Sequence, residues 1–260
     1  MNRSTFKYFG FLAISTAMFF SSCKKDVDDT PGSIVGKYEQ RVLFEEFRAE
    51  WCGICGKAAP KFNEIVEKYG NQVMCVGMHY TDQFEVKYPP TTSYFFDFFD
   101  LNGVPSVLVN KKYDQTKEWI VQVEKYMGYK ANAGIKLNTE ITGNILDVEV
   151  VCTSEIDRSN ALLSVYIVED NVPESSPGAQ SGGGGKFIHR NMLREILTSK
   201  AGDPVNIKAG TEETIKFKVN NLAKYKKSDL YVMAFLLEES SKSHEYINGN
   251  FVKAGQDSDW

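Results

Sequence analysis

The chain has 260 residues, of which 42% are hydrophobic and 25% are charged, as is usual for a folded globular protein. The formal net charge of -4 gives no electrostatic reason to expect nucleic acid as a partner. Three scattered histidines, His79, His189 and His244, lack the close spacing of metal ligands, so we predict no metal site and no cofactor.

The first 23 residues have the pattern of a lipoprotein signal peptide. Arg3 and Lys7 precede an apolar segment, residues 8–20, that is shorter than the roughly 20 residues of a membrane-spanning helix. Small residues then lead to Cys23, which we predict to be lipidated and to form the mature N-terminus. An ordinary signal peptide with a chance cysteine is the alternative. The polar residues 24–33 that follow are predicted to form a tether.

The next segment, residues 34–134, alternates strand and helix patterns. Apolar runs at 41–47, 72–80 and 104–109 predict strands, and helical spacing at 54–69 and 118–127 predicts helices. This order predicts an α/β domain. The aromatic-rich segment 81–102 is expected to pack on the sheet as a short helix and loop, or in addition to form an apolar wall beside a site.

Beyond residue 134 the pattern changes to strand-length pieces separated by turn residues. These pieces predict an all-β, sandwich-like C-terminal domain over residues 135–260, with strands at 136–142, 146–153, 161–169, 214–219 and 230–238. Helical periodicity occurs once, at 187–197. The glycine run 181–185 is predicted to be a flexible loop, since it lacks the residues of a phosphate-binding loop.

Two of the five cysteines, Cys52 and Cys55, are separated by two residues at the junction of a predicted strand and a predicted helix. The start of a helix favours the thiolate form of cysteine, which is the nucleophile in disulfide exchange. Cys55 lies one turn on, near enough to attack a mixed disulfide formed at Cys52. An inert disulfide is the alternative, whereas a zinc site lacks a second pair of ligands. Cys75 and Cys152 lie in apolar runs and are expected to be buried thiols.

The sequence around this pair resembles the thioredoxin motif. Residues 47–55, with Pro60 five residues after the second thiol, match that motif, and the resemblance extends over roughly residues 42–126. It implies that Cys52 and Cys55 form a reversible disulfide. Ile54 and Gly56 depart from the usual residues at their positions, and this leaves the direction of electron flow open.

The same resemblance implies roles for residues outside the thiol pair. Pro105 is expected to follow a cis peptide bond and to pack against the thiols, with the backbone of Val104 pairing with an extended polypeptide. Glu46 stands where thioredoxins hold a buried acid and is expected to take the proton of Cys55, or else to be a paired structural acid. Substrate contacts are expected at Trp51, Gly53, Ile54 and Val104.

The whole arrangement is similar to the Omp28-related outer-membrane lipoproteins, in which a lipidated N-terminus and a thioredoxin-like domain precede a β-rich domain. Residues 187–194 and 168–170 resemble stretches of the second domain in that family. Membership implies a bacterial outer-membrane lipoprotein that faces the periplasm or the cell surface. Its membrane contact would be the lipid anchor.

Two functions remain open from the sequence. The first is an envelope thiol–disulfide oxidoreductase that acts on extended protein segments bearing thiols or disulfides, with an unidentified electron donor. The second is a surface-exposed binding protein or adhesin that uses the thioredoxin-like part as a scaffold, because a fold does not dictate a function.

Overall fold

The computed structural model describes residues 36–87, 92–240 and 244–260 of the chain. The predicted signal peptide, the lipidation site Cys23 and the tether lie outside these residues.

The first part of the described chain alternates strands and helices, as predicted. Its elements are β1 (Tyr38–Glu39), β2 (Val42–Arg48), α1 (Gly53–Tyr69), β3 (Val73–His79), α2 (Thr92–Phe98), β4 (Ser106–Val109), β5 (Lys112–Asp114), α3 (Trp119–Glu124) and β6 (Lys130–Ala131). Strand β2 pairs in parallel with β3 and antiparallel with β4. Both β2 and β3 are buried along their whole length, which explains their nearly continuous apolar composition.

Helix α1 positions the thiol pair at its first turn. Its buried face carries Phe62, Ile65 and Tyr69 at helical spacing and shares an apolar core with Phe44 of β2. The helix ends at Gly70, where the sequence pattern placed its end. This packing fixes the start of α1 against the carboxyl end of β2.

The second part is made of strands, which confirms the predicted β-rich C-terminal part. Its elements are β7 (Ala133–Thr142), β8 (Ile145–Ser154), β9 (Arg158–Glu169), β10 (Val172–Pro173), β11 (Ile188–His189), β12 (Met192–Ile196), β13 (Asp203–Ile207), β14 (Glu212–Val219), two 3-10 turns (Leu222–Lys224 and Lys227–Asp229), β15 (Leu230–Glu239) and β16 (His244–Lys253). A three-stranded sheet in the order β14-β8-β7 packs over β9, β13, β15 and β16, with an apolar core between the two layers.

The predicted helix at 187–197 is wrong, because β11 and β12 occupy this segment. Strand β12 lies between β3 and β9. Its residues Met192 and Leu193 point to opposite faces of the sheet and are both buried. A strand covered on both faces loses the alternation of apolar and polar residues, and its apolar spacing can then match a helix.

A single nine-stranded sheet crosses the boundary that the sequence suggested at residue 134. Eight strands follow the order β16-β15-β9-β12-β3-β2-β4-β5, and β13 pairs with β9. The join is made by the parallel pairing of Met192 with Gly77, whose N–H donates to the carbonyl of Asn191 at 2.8 Å. The two predicted domains therefore share one sheet.

The aromatic-rich segment packs on this sheet through helix α2. The rings of Phe95 and Phe96 lie 5.9 Å and 5.7 Å from that of Phe47 on β2. Among the described residues, no helix combines the length and hydropathy needed to cross a bilayer.

Candidate functional site

The thiol pair lies at the N-terminus of helix α1, as the sequence predicted. Cys52 is the N-cap residue, with an extended backbone, and Cys55 lies in the first turn. The two are joined in a disulfide. The N–H of Cys55 points at the sulfur of Cys52, with an N–S distance of 3.1 Å. After reduction, this N–H and the helix dipole would stabilise negative charge on Cys52 Sγ.

The structure brings the predicted proline next to the disulfide. The peptide bond between Val104 and Pro105 is cis. The carbonyl oxygen of Val104 lies 3.6 Å from Cys52 Sγ, and Val104 packs against the small apolar cluster of Ala49, Cys52 and Cys55. Of the described residues, none accepts a hydrogen bond from the N–H of Val104. The backbone at this position can therefore pair with an extended chain.

The disulfide is largely shielded, whereas its neighbours in the motif are exposed. Cys52 and Cys55 are 6% and 2% exposed, and Trp51 and Ile54 are 56% and 68% exposed. The site thus presents two large apolar side chains to solvent and only a small part of the Cys52 side chain.

A cleft of about 550 Å³ opens on one side of the disulfide. Its walls are the first turns of α1, the segment around Pro105 and the segment after β5; the apolar lining residues are Ile54, Ala58, Val104, Pro105, Val107, Tyr113 and Trp119. The described aromatic residues of 81–102 are not among the residues that line this cleft. An extended polypeptide bound there would pass beside Cys52.

Glu46 is fully buried on β2 and pairs with Arg48 two residues on. Burial raises the pKa of Glu46, and the positive charge of Arg48 opposes that effect. The other carboxylate oxygen has no hydrogen-bond partner among the described residues. Glu46 thus has the features of a paired structural acid, and its role as proton acceptor for Cys55 stays a prediction.

A loop of the β-rich part covers the other side of the thiol pair, a contact that the sequence analysis did not predict. We call residues 174–187, between β10 and β11, the covering loop. The amide of Gln180 donates to the carbonyl oxygens of Ala49 and Cys52 at 3.4 Å and 3.2 Å. The N–H of Ser181 donates to the carbonyl oxygen of Glu50 at 2.7 Å. The loop therefore holds the backbone from Ala49 to Cys52 in place.

Two glycines allow this close approach. A side chain at Gly56 would place Cβ 2.4 Å from the carbonyl oxygen of Ser181. One at Gly182, which has φ +74°, would place Cβ 2.4 Å from the carbonyl oxygen of Gly53. Neither position can hold a larger residue without moving the loop.

Glu50, two residues before Cys52 in the motif, links the covering loop to the core. Its carboxylate accepts hydrogen bonds from the N–H and hydroxyl of Ser175, at 2.8 Å and 2.6 Å, and from the amide of Gln83 at 3.0 Å. Nε2 of His189 lies 3.4 Å away. Burial alone would raise the pKa of Glu50, but these hydrogen bonds outweigh it and hold the pKa below its ordinary value.

A buried pair of histidines completes this cluster. The rings of His79 and His189 lie 4.6 Å apart, and Nδ1 of His79 is 2.6 Å from the carboxylate of Asp82. Burial, together with electrostatic repulsion from the neighbouring His79 and Arg48, lowers the pKa of His189 to about 3, against the opposing effect of Glu50. His189 is therefore neutral in the folded protein near neutral pH.

This neutral imidazole should make the protein less stable in mild acid. The unfolded chain binds a proton at His189 below about pH 6.5 and the folded chain does not, so stability falls as the pH falls. Between pH 7 and pH 5, His189 should lower the free energy of unfolding by about 2 kcal/mol. Denaturant unfolding at both pH values should show this loss reduced in His189→Gln. An equal loss in both proteins would contradict the assignment.

The two remaining described cysteines are buried free thiols, as predicted. Burial raises the pKa of the Cys152 thiol to about 12 and raises that of Cys75 as well. Neither thiol is suited to exchange, because the thiolate is the reactive form.

Two protein families match this sequence. The family described as Outer membrane protein Omp28 matches residues 92–257, and the thioredoxin family matches residues 24–117. Among curated proteins, no sequence matches the chain.

Solved structures with low sequence identity share the fold. HBP35 of Porphyromonas gingivalis superposes with a TM-score of 0.73 at 22% identity, over 84% of this chain and 76% of that one. A protein of Agrobacterium tumefaciens superposes with a TM-score of 0.55 at 11% identity, over 86% of this chain and 99% of that one. At these identities the likeness shows the fold alone.

Proposed function

Since the chain belongs to the Omp28 family of outer membrane proteins and has a thioredoxin-like N-terminal part, we propose that it is an envelope thiol–disulfide oxidoreductase. The observation that carries this proposal is the Cys52–Cys55 disulfide at the start of α1, with the Val104–Pro105 segment and an apolar cleft beside it. Family membership implies an envelope location.

In the reductive direction, the thiolate of Cys52 attacks one sulfur of a substrate disulfide. A mixed disulfide forms, and the other substrate sulfur leaves as a thiolate and takes up a proton. Cys55 then loses its proton and attacks Cys52 Sγ, which forms the Cys52–Cys55 disulfide and releases the second substrate thiol. The substrate gains two electrons and two protons, and a dithiol donor must reduce the protein again. The oxidative direction reverses these steps.

The neighbouring residues have distinct proposed roles. The backbone of Val104 pairs with the extended substrate and Pro105 holds that backbone in place. Ile54 and Trp51 offer exposed apolar contacts, and Gly53 offers its backbone, since a Cβ there would lie 3.2 Å from Oγ of Ser181 in the covering loop. Glu46 accepts the proton of Cys55.

The finer localisation is also part of the proposal. Lipidation at Cys23 would anchor the protein in the outer membrane, with residues 24–33 as the tether and the redox site facing the periplasm or the cell surface. The match to the Omp28 family supports a location in the cell envelope. Labelling with a radioactive or clickable fatty acid would test the lipid anchor.

The proposal is tested by the reduction of insulin disulfides with dithiothreitol as the electron donor. The wild-type protein should accelerate the reaction catalytically. Absence of turnover at every ratio of reduced to oxidised donor would overturn the proposal.

A second candidate function is a surface binding protein with an inert disulfide. The observation that favours it is the low exposure of both cysteines, 6% and 2%, beneath the covering loop. Binding of a partner that is unchanged in the Cys52→Ala/Cys55→Ala double variant, combined with an inactive wild type, would support it.

A further inference from the structure

The cleft beside the disulfide carries a charge pattern that differs from that of the whole chain. Lys57 and Lys61 lie one turn apart on α1, and Lys117 lies on the opposite wall. All three side chains are exposed. The chain as a whole has a formal net charge of -4, so this local excess of positive charge is not a consequence of composition.

These lysines are available to a ligand. Of the described residues, none forms a salt bridge with Lys57, Lys61 or Lys117, although Nζ of Lys61 lies 5.9 Å from the ring of Trp119. One acid, Asp114, also lines the cleft. Its Oδ1 already accepts hydrogen bonds from the N–H and hydroxyl of Thr116, at 2.8 Å and 2.7 Å.

The cleft combines this charge with features that suit an extended polypeptide. Ile54, which is 68% exposed, and Pro105 form an apolar wall next to Cys52. The N–H of Val104 has no acceptor among the described residues. A chain that pairs with Val104 would therefore place its reacting sulfur at Cys52 and its neighbouring side chains between the lysines.

We propose that this cleft selects extended polypeptides that carry acidic side chains within a few residues of the reacting cysteine. The inference rests on the proposed function and adds the substrate class. The lysines attract carboxylates across the cleft, and the apolar wall accepts the side chains between them. Three exposed charge pairs, each of modest strength, should together favour an acidic peptide over a basic one by roughly five- to thirtyfold in rate.

Three peptides test this specificity. Each carries one cysteine activated as a disulfide with 2-thiopyridine, flanked at the same positions by glutamate, glutamine or lysine. Attack of the reduced protein on the peptide sulfur releases 2-thiopyridone, which is followed by absorbance. Rates with dithiothreitol correct for the intrinsic reactivity of each peptide. The corrected second-order rate should decrease from the glutamate to the glutamine to the lysine peptide, by about tenfold overall at low ionic strength, and less in salt.

Two matched variants distinguish the effect of the cleft lysines on the peptide preference from the effect of the overall charge of the protein. In Lys57→Gln/Lys61→Gln/Lys117→Gln the ratio of glutamate to lysine peptide rates should fall to near one. The control Lys208→Gln/Lys216→Gln/Lys218→Gln removes the same charge from exposed positions outside the cleft and should keep the wild-type ratio.

Each other outcome overturns the inference. Equal corrected rates with the three peptides would do so and leave the proposed function standing. If the preference for the glutamate peptide persisted in the cleft variant, or were lost equally in the control variant, it would arise from the overall charge of the protein. No reaction with any peptide would remove the proposed function and this inference together.

Discussion

Replacing Cys52 with alanine should reduce the insulin-reducing activity to the rate without protein. The reason is that Cys52 is the more exposed cysteine of the pair, at 6%, and is the N-cap residue of α1. Its sulfur lies at the helix N-terminus, 3.1 Å from the N–H of Cys55, and 3.6 Å from the carbonyl oxygen of Val104. Cys55 is only 2% exposed. The turbidity of reduced insulin measures the effect.

The matched control is Cys152→Ala, which removes a buried thiol from the β-rich part. This variant should keep the wild-type rate, because a thiol with a pKa near 12 has almost no thiolate at neutral pH. If Cys52→Ala retained activity while Cys152→Ala lost it, the nucleophile would be assigned to the wrong residue.

Breaking a buried ion pair should have the largest effect on stability. Lys111, in the turn between β4 and β5, places Nζ 2.6 Å from the carboxylate of Glu45 on β2. Both side chains are almost completely buried, and the rings of Phe95 and Phe235 each lie 4.9 Å from Nζ. Burial raises the pKa of Glu45 and lowers that of Lys111, so each charge depends on the other.

The substitution Lys111→Met should therefore lower the free energy of unfolding by about 3–5 kcal/mol, because it leaves a buried carboxylate without its partner. Denaturant unfolding at neutral pH measures this loss. Lys68→Met is the matched control: it breaks the exposed pair with Glu124 and should leave the stability close to that of the wild type.

The double variant Glu45→Leu/Lys111→Met distinguishes the ion pair from packing. It should recover much of the lost stability, since replacing both partners of a buried pair with apolar residues leaves no unpaired charge. A double variant that is less stable than Lys111→Met would show that the lysine stem and the aromatic rings, rather than the charges, account for the effect.

Local patterns in the sequence predicted the thiol pair and its place at a helix start, whereas the proline beside the pair was implied by the resemblance to thioredoxin. The helix from residue 53 to 69 follows from spacing and its terminal glycine, and the Cys52–Cys55 pair follows from two intervening residues. Local chemistry decides such features, and they can be inferred without knowing what packs around them.

The contact between the two halves of the chain could not be predicted in this way. Met192 pairs with Gly77, 115 residues earlier in the sequence, and nothing local to either residue specifies that partner. The same reason explains the wrong helix at 187–197, whose strand character depends on burial between β3 and β9.

One residue did carry a signal for the covering loop. Gly56 stands in the first turn of a helix, where glycine costs about 1 kcal/mol relative to alanine, and it departs from the thioredoxin pattern. The structure gives the reason, since the carbonyl oxygen of Ser181 occupies the space that a side chain would need. Gly56 of the helix and the distant glycine run therefore lie in contact with each other.

The most direct test of the redox assignment is to trap the intermediate in Cys55→Ala. Without the resolving thiol, the reduced variant mixed with native, disulfide-bonded insulin should accumulate a mixed disulfide. Mass spectrometry of its peptides should place the insulin chain on Cys52. An adduct absent from Cys52, or spread equally over Cys75 and Cys152, would contradict the assignment of Cys52 as the nucleophile.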